Sequence, residues 1–177
     1  MNREAEIRAL VARVIEEAIV ENDGSRVAIA SDHGGFELKM KLIPVVEALG
    51  FEVVDCGCDS VDAVDYPDFA HDVAKRVAAG ECTWGIVIDG AGIGSCMAAN
   101  KVPGVRAAMC YDLSTARNSR EHNHANVLSL GAGLIGFALA RQIVEQWFAT
   151  EWGGSRHARR VDKITALEKK YSGDSRP

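Results

Sequence analysis

The chain has 177 residues, 47% of them hydrophobic and 25% charged, which suits one domain with a sizeable core and excludes an extensively disordered chain. Its formal net charge is −5, and its 20 lysines and arginines are scattered along the sequence, so the basic footprint of a nucleic-acid-binding protein is missing. No stretch approaches the roughly 18 apolar residues that span a bilayer, and the charge-interrupted N-terminus is unlike a secretory signal; the expectation is a cytoplasmic protein with no membrane partner.

The first predicted element is an amphipathic helix over 3–20, where Ile7, Leu10, Val11, Val14, Ile15, Ala18 and Ile19 recur at helical spacing with Glu and Arg on the other face. Asn22-Asp23-Gly24-Ser25 breaks it. The organisation is therefore a helix within 1–21, a linker at 22–25 and a main domain over 26–177.

From Val27 onward short apolar runs alternate with helical stretches. Strands are predicted at 27–30, 51–54, 85–88, 105–109 and 127–130. Continuous apolar runs of this length suit strands covered on both faces. Helices are predicted at about 36–49, 68–79, 95–101, 113–121 and 135–149, with a last one at about 157–171 after Gly153-Gly154. This alternation specifies an α/β fold, a Rossmann-like three-layer sandwich around a five-stranded parallel sheet, with the N-terminal amphipathic helix added in front.

The five cysteines, Cys56, Cys58, Cys82, Cys96 and Cys110, lie mostly in or beside apolar runs and read as reduced, buried thiols. Cys56-Gly57-Cys58 lacks the paired spacing of a zinc site, and the five histidines show no ligand spacing, so a metal is not required.

In open α/β sheets ligands bind beyond the carboxyl ends of the strands. Strand one ends in Ser31-Asp32-His33-Gly34-Gly35, and strand three in Asp89-Gly90-Ala91-Gly92-Ile93-Gly94. The fourth domain helix ends in Arg120-Glu121-His122-Asn123. Glycines at 90–94 let backbone amides approach an anionic oxygen at a helix N-terminus. A dinucleotide fingerprint would normally follow the first strand instead. His33 and His122 are acid/base candidates because imidazole titrates near neutral pH, although a loop histidine can equally be structural. Arg156, His157, Arg159 and Arg160 form a cluster suited to a phosphate, or else a solvated helix face.

The segments Ser31–Phe36, Asp65-Tyr66-Pro67, Gly90–Gly94, Ala98-Ala99-Asn100-Lys101, Arg120–Asn123 and Arg156-His157, in this order, resemble the successive signatures of the ribose-5-phosphate isomerase B and galactose-6-phosphate isomerase family, over about residues 26–171. The resemblance implies aldose–ketose isomerisation of a sugar phosphate without metal or organic cofactor, foremost ribose 5-phosphate to ribulose 5-phosphate through an enediolate. It further implies a homodimer with shared sites, or a tetramer built from it. On that resemblance Asp32 and His33 are site residues of the first strand, Tyr66 lines the site, and His122 opens the sugar ring with Asn123 beside it. Arg156 and Arg160 hold the phosphate, and the Gly90, Ala91, Gly92 and Gly94 turn contributes amides.

Three positions depart from the family pattern. Asp89 stands where many members have a catalytic cysteine, Ala91 replaces a hydroxyl residue, and Gly133 replaces an arginine. Asp89, His122 and Asp32 are read as the catalytic set, with Asp89 as the base; the competing reading is that Asp89 caps the following turn. Two other functions stay open: a non-catalytic or altered-specificity sugar-phosphate-binding protein on the same fold, and a nucleotide-binding module. The segment before residue 21 resembles the encapsulation peptides of bacterial microcompartments, which implies a shell protein as partner and a location inside such a compartment. Packing on its own domain is the alternative.

Overall fold

The computed structural model describes residues 25–172, and the helix expected at 3–20 lies outside them. The strands are β1 (Arg26–Ser31), β2 (Glu52–Asp55), β3 (Trp84–Asp89), β4 (Ala107–Met109) and β5 (Val127–Gly131). The helices are α1 (Phe36–Ala48), α2 (Tyr66–Ala78), α3 (Ile93–Ala99), α4 (Leu113–Glu121), α5 (Phe137–Phe148) and α6 (Ser155–Ser172). All strand pairs are parallel, in the order β2-β1-β3-β5-β4. This is the α/β architecture expected from the alternation of apolar runs and helical stretches.

The period of two along each strand divides the core. Val27, Ile29, Ile86, Ile88, Leu128 and Leu130 point to one face, where they meet Leu42 and Val46 of α1 and Ile143 and Trp147 of α5. Ala28, Ala30, Val87 and Val127 point to the other, against Ala70, Val73 and Val77 of α2 and Ala99 of α3. Small alanines in β1 let α2 lie close on that face. Both faces being covered, the strands carry hardly any exposed side chain between Val27 and Ser31 or between Gly85 and Asp89.

Two boundaries differ from the expectation for identifiable reasons. Pro67 occupies the first turn of α2, so that helix begins at Tyr66 rather than 68, the missing proline amide being one the first turn does not use. β4 begins at Ala107 rather than 105. Val105 is buried, but its amide closes a turn onto the Val102 carbonyl instead of joining the sheet.

The chain leaves β1 toward β2 on one side and comes back to β3 on the other. The crevice at this reversal lies between the carboxyl ends of β1 and β3, where Asp32 and Asp89 follow and end those strands. Lys39 of α1 supports the neighbouring loop. Its fully buried Nζ donates to Asp55 Oδ1 at 2.6 Å and to the Cys58 carbonyl at 2.9 Å.

Candidate active site

Three turns converge at the sheet reversal. Asp32 directs Oδ1 to the Gly35 amide at 2.9 Å, and its own amide donates to the Ile88 carbonyl, tying the β1 turn to β3. The amides of Ala132 and Gly133 donate to the carbonyls of Asp89 and Gly90 at 2.8 and 2.9 Å, tying the β5 turn to the same place. A Cβ at Gly133 would stand 2.9 Å from the Gly90 carbonyl oxygen, so this close approach suits the glycine found where the family resemblance leads one to expect arginine. His33 is exposed and accepts the Val64 amide on Nδ1 at 3.2 Å. The Tyr66 ring covers Gly94, where an added Cβ would come within 2.5 Å of the ring. The structure thus brings Asp32, His33, Tyr66 and the 89–94 turn together.

Asp89 is 4% exposed and points back into its own turn. Oδ1 accepts the amide of Ala91 at 2.8 Å and that of Gly92, and Oδ2 accepts the amide of Ser95 at 2.9 Å. Gly92, at φ 78°, supplies the left-handed residue that lets successive amides face one carboxylate. Burial raises the carboxyl pKa, but the Ser95 side chain and the Ser95, Gly92 and Ala91 amides outweigh it and hold the group below its ordinary value. A carboxylate offers about four lone-pair sites, and these donors engage them. The geometry is that of a cap on α3, which favours the capping reading of Asp89 over its use as a base. It also alters the expectation for the glycine turn. The Ala91 and Gly92 amides already hold an internal anion, so among the described residues the exposed Gly90 amide and the first-turn amides of Ile93 and Gly94 are left to face a ligand.

The remaining site residues form a second group. Asn118, His122, Asn123, Arg156, His157 and Arg160 line a cavity of about 350 Å³ between the end of α4 and the start of α6. The His122 and His157 rings stack with centroids 4.2 Å apart, 8° from parallel. Asn118 bonds His122 Nδ1 at 2.9 Å through its side-chain nitrogen. Partial desolvation, and then the neighbouring His122, Arg156 and Arg160, hold the His157 pKa below its usual value. Arg156 and Arg160 are exposed. Arg156 donates from Nε to His157 Nε2 at 3.2 Å and Arg160 from Nη1 to the Arg156 carbonyl at 3.0 Å, which leaves their other guanidinium nitrogens to meet an anion. A second cavity, of about 310 Å³, opens beside His33 and Gly34 and reaches Lys41, Gly136 and Phe137. It shares no lining residue with the His122 cavity.

Ser95, Asn118 and Trp152, whose ring stacks on His124 at 4.7 Å, also belong to these groups and were not anticipated. For Asn118 a signal existed: it stands four residues before His122, the spacing of neighbours on a helix face. Burial raises the pKa of Cys82 and Cys96 and pushes Cys56 and Cys110 up to about 11, so none of these four thiols offers a substitute base. Among the described residues no cluster of histidine, cysteine and carboxylate side chains could hold a metal ion, and no helix is long and apolar enough to cross a membrane.

Comparison with known proteins adds an independent line. The Ribose/Galactose Isomerase family matches residues 27–164. Ribose-5-phosphate isomerase B of Escherichia coli is 42% identical over 145 residues, covering 82% of this chain and 97% of that protein. Among solved structures, that of ribose-5-phosphate isomerase B from Clostridium thermocellum aligns with a TM-score of 0.81 at 51% identity, covering 82% of this chain and 99% of the other. The type B ribose 5-phosphate isomerase of Trypanosoma cruzi also gives 0.81, at 45% identity, covering 84% and 99%.

Proposed function

The chain belongs to the ribose/galactose isomerase family as an aldose–ketose isomerase of sugar phosphates, and we propose that it converts ribose 5-phosphate to ribulose 5-phosphate through an enediolate. The observation that carries the mechanism is the pair of carboxylates at the ends of adjacent strands β1 and β3. Donors engage Asp89 on both oxygens, whereas Asp32 uses only Oδ1 among the described residues. Asp32 is therefore the group that takes the C2 proton of the open-chain aldose and returns it to C1. The electron pair released from the C2–H bond forms the C1–C2 double bond, and the carbonyl pair moves to O1. The Ile93 and Gly94 amides face that developing charge at the positive end of α3. The O2 proton then passes to O1, the O2–H pair forms the C2 carbonyl, and the C1–C2 pair takes up the proton returned to C1. Asp89 keeps the turn in shape.

Arg156 and Arg160 take the phosphate, and His122 opens the furanose ring with Asn123 beside it. The separation of these residues from Asp32 within one chain supports a homodimer in which each site draws on both subunits. Exposed apolar side chains support the same arrangement. Ile93, Met97 and Tyr111 are exposed on the body, and Ile164, Leu167 and Tyr171 on α6, which buries only Val161. A cavity of about 910 Å³ runs between α6 and the β4 edge.

The test is deuterium exchange at C2 of ribose 5-phosphate. Asp32→Asn should lower exchange by about 10²–10⁴-fold, the usual cost of a lost general base. Asp89→Asn should lower it less. The reverse order in folded variants would return the base to Asp89, and no exchange by the native protein with ribose 5-phosphate would exclude that substrate.

A further inference from the structure

Arg120, in the last turn of α4, is 6% exposed, and among the described residues it makes no ion pair. Its guanidinium carbon lies 4.0 Å from the Trp84 ring centroid and 4.9 Å from that of Trp147, with the two indoles edge to face. Nη1 donates to the Ala125 carbonyl at 2.6 Å, and among the described residues Nε has no hydrogen-bond partner. Desolvating a cation without an anion opposes folding. An apolar side chain would fill the slot between the indoles without that penalty. What it could not do is reach past them to a carbonyl.

The carbonyl concerned belongs to the turn that carries His122 and Asn123. The Arg120 carbonyl accepts the His124 amide at 3.1 Å, and the Ser119 carbonyl accepts the Ala125 amide at 2.9 Å. Arg106, before β4, donates from Nε to the His124 carbonyl at 2.8 Å. Adjacent carbonyls, at 124 and 125, are thus each gripped by a guanidinium, and His124 sits at φ 51°, a conformation that a side-chain-bearing residue adopts only when held. The apex of the turn presents His122 against His157 and the phosphate-type arginines.

We infer that Arg120, aided by Arg106, is a positioning residue for the isomerase reaction, fixing the turn that presents His122 and Asn123 to the substrate. This rests on the proposed role of His122. The tryptophans hold the guanidinium by cation–π attraction, and the guanidinium in turn holds the turn.

The test uses the full chain with Arg120→Met, Arg120→Lys and Arg106→Met. Imidazole resonances are assigned with His122→Gln, and kcat and KM are measured with ribose 5-phosphate. The His122 resonance should move in the Arg120→Met and Arg106→Met proteins, and kcat should fall by about 10–100-fold, the scale of a misplaced catalytic group. KM should change by less than about threefold, and Arg120→Lys should lie between. A merely structural role would lower the melting temperature and leave the His122 resonance of the folded protein in place; that result overturns the inference. Should Arg120→Met fail to fold, Arg106→Met and Arg120→Lys decide, and wild-type resonances and kcat in both overturn it. Absence of turnover in the native protein would tell against the proposed substrate, while the resonances would still decide whether Arg120 positions the turn.

Discussion

Asp89 and Ser95, six residues apart, are joined by a 2.9 Å bond from the Ser95 amide to Oδ2, while Oδ1 serves Ala91 and Gly92. The carboxylate thus closes a ring of chain around itself. Its pKa in the fold lies below the reference value of 3.8, so the unfolded chain binds its proton more readily. The stability it contributes is complete above about pH 4 and is lost as pH falls through the lower, folded value. Thermal melts between pH 6 and pH 3 should therefore fall more steeply for the wild type than for Asp89→Asn. At pH 7 the variant should be weaker by about 1–3 kcal/mol, because the amide nitrogen that replaces one carboxylate oxygen cannot accept the backbone amides held there.

The arginines beside the stacked histidines give a second prediction. Desolvation first and the arginine cations after it hold the His157 pKa down, so an anion seated between Arg156 and Arg160 should raise it. Histidine resonances followed against pH, with and without inorganic phosphate, check the sign. Arg156→Met or Arg160→Met should abolish the phosphate effect and raise KM by about 10–100-fold, the value of a charge-assisted bond.

Lys39 and Asp55 are unequal partners, the lysine fully buried and the aspartate side chain 38% exposed. Asp55→Ala strands a buried ammonium and should cost about 3–5 kcal/mol. Lys39→Met leaves a carboxylate that water can reach, at a cost of about 1–3 kcal/mol from the lost carbonyl bond. Urea unfolding of the two variants should rank them in that order.

A fourth prediction concerns residues 1–21, whose proposed role is docking to a shell surface through the apolar stripe. The double change Leu10→Glu and Val14→Glu should leave turnover, dimerisation and melting temperature unchanged and abolish co-sedimentation with shell protein. A fall in melting temperature or in dimerisation would assign the stripe to packing on the enzyme itself.

The strands were legible because Val27–Ala30 and Gly85–Ile88 are apolar without interruption and Val127–Leu130 is broken only by Ser129, a pattern that suits a doubly covered sheet. Their ends then located Asp32, His33 and the glycine turn. The role of Asp89 was not legible in the same way. A carboxylate before a glycine turn can face outward to a substrate or inward to its own amides, and the positive φ of Gly92 decides for the second. Arg120 was hidden for a similar reason. Arginine on an exposed-looking helix end reads as solvated, and only the meeting of Trp84 and Trp147, 63 residues apart in sequence, makes a slot for it.

The glycine turn contains three glycines that look interchangeable in print and are held to different standards by their surroundings. At Gly94 even an alanine would collide with the Tyr66 ring, and at Gly92 the backbone handedness and the Leu130 carbonyl forbid a side chain together. At Gly90 nothing stands within 4 Å of an added Cβ. A library randomised across this turn would therefore come back with one open letter and two closed ones. That open letter lies beside the sheet crevice, which makes position 90 the place where selection for a differently shaped sugar would begin.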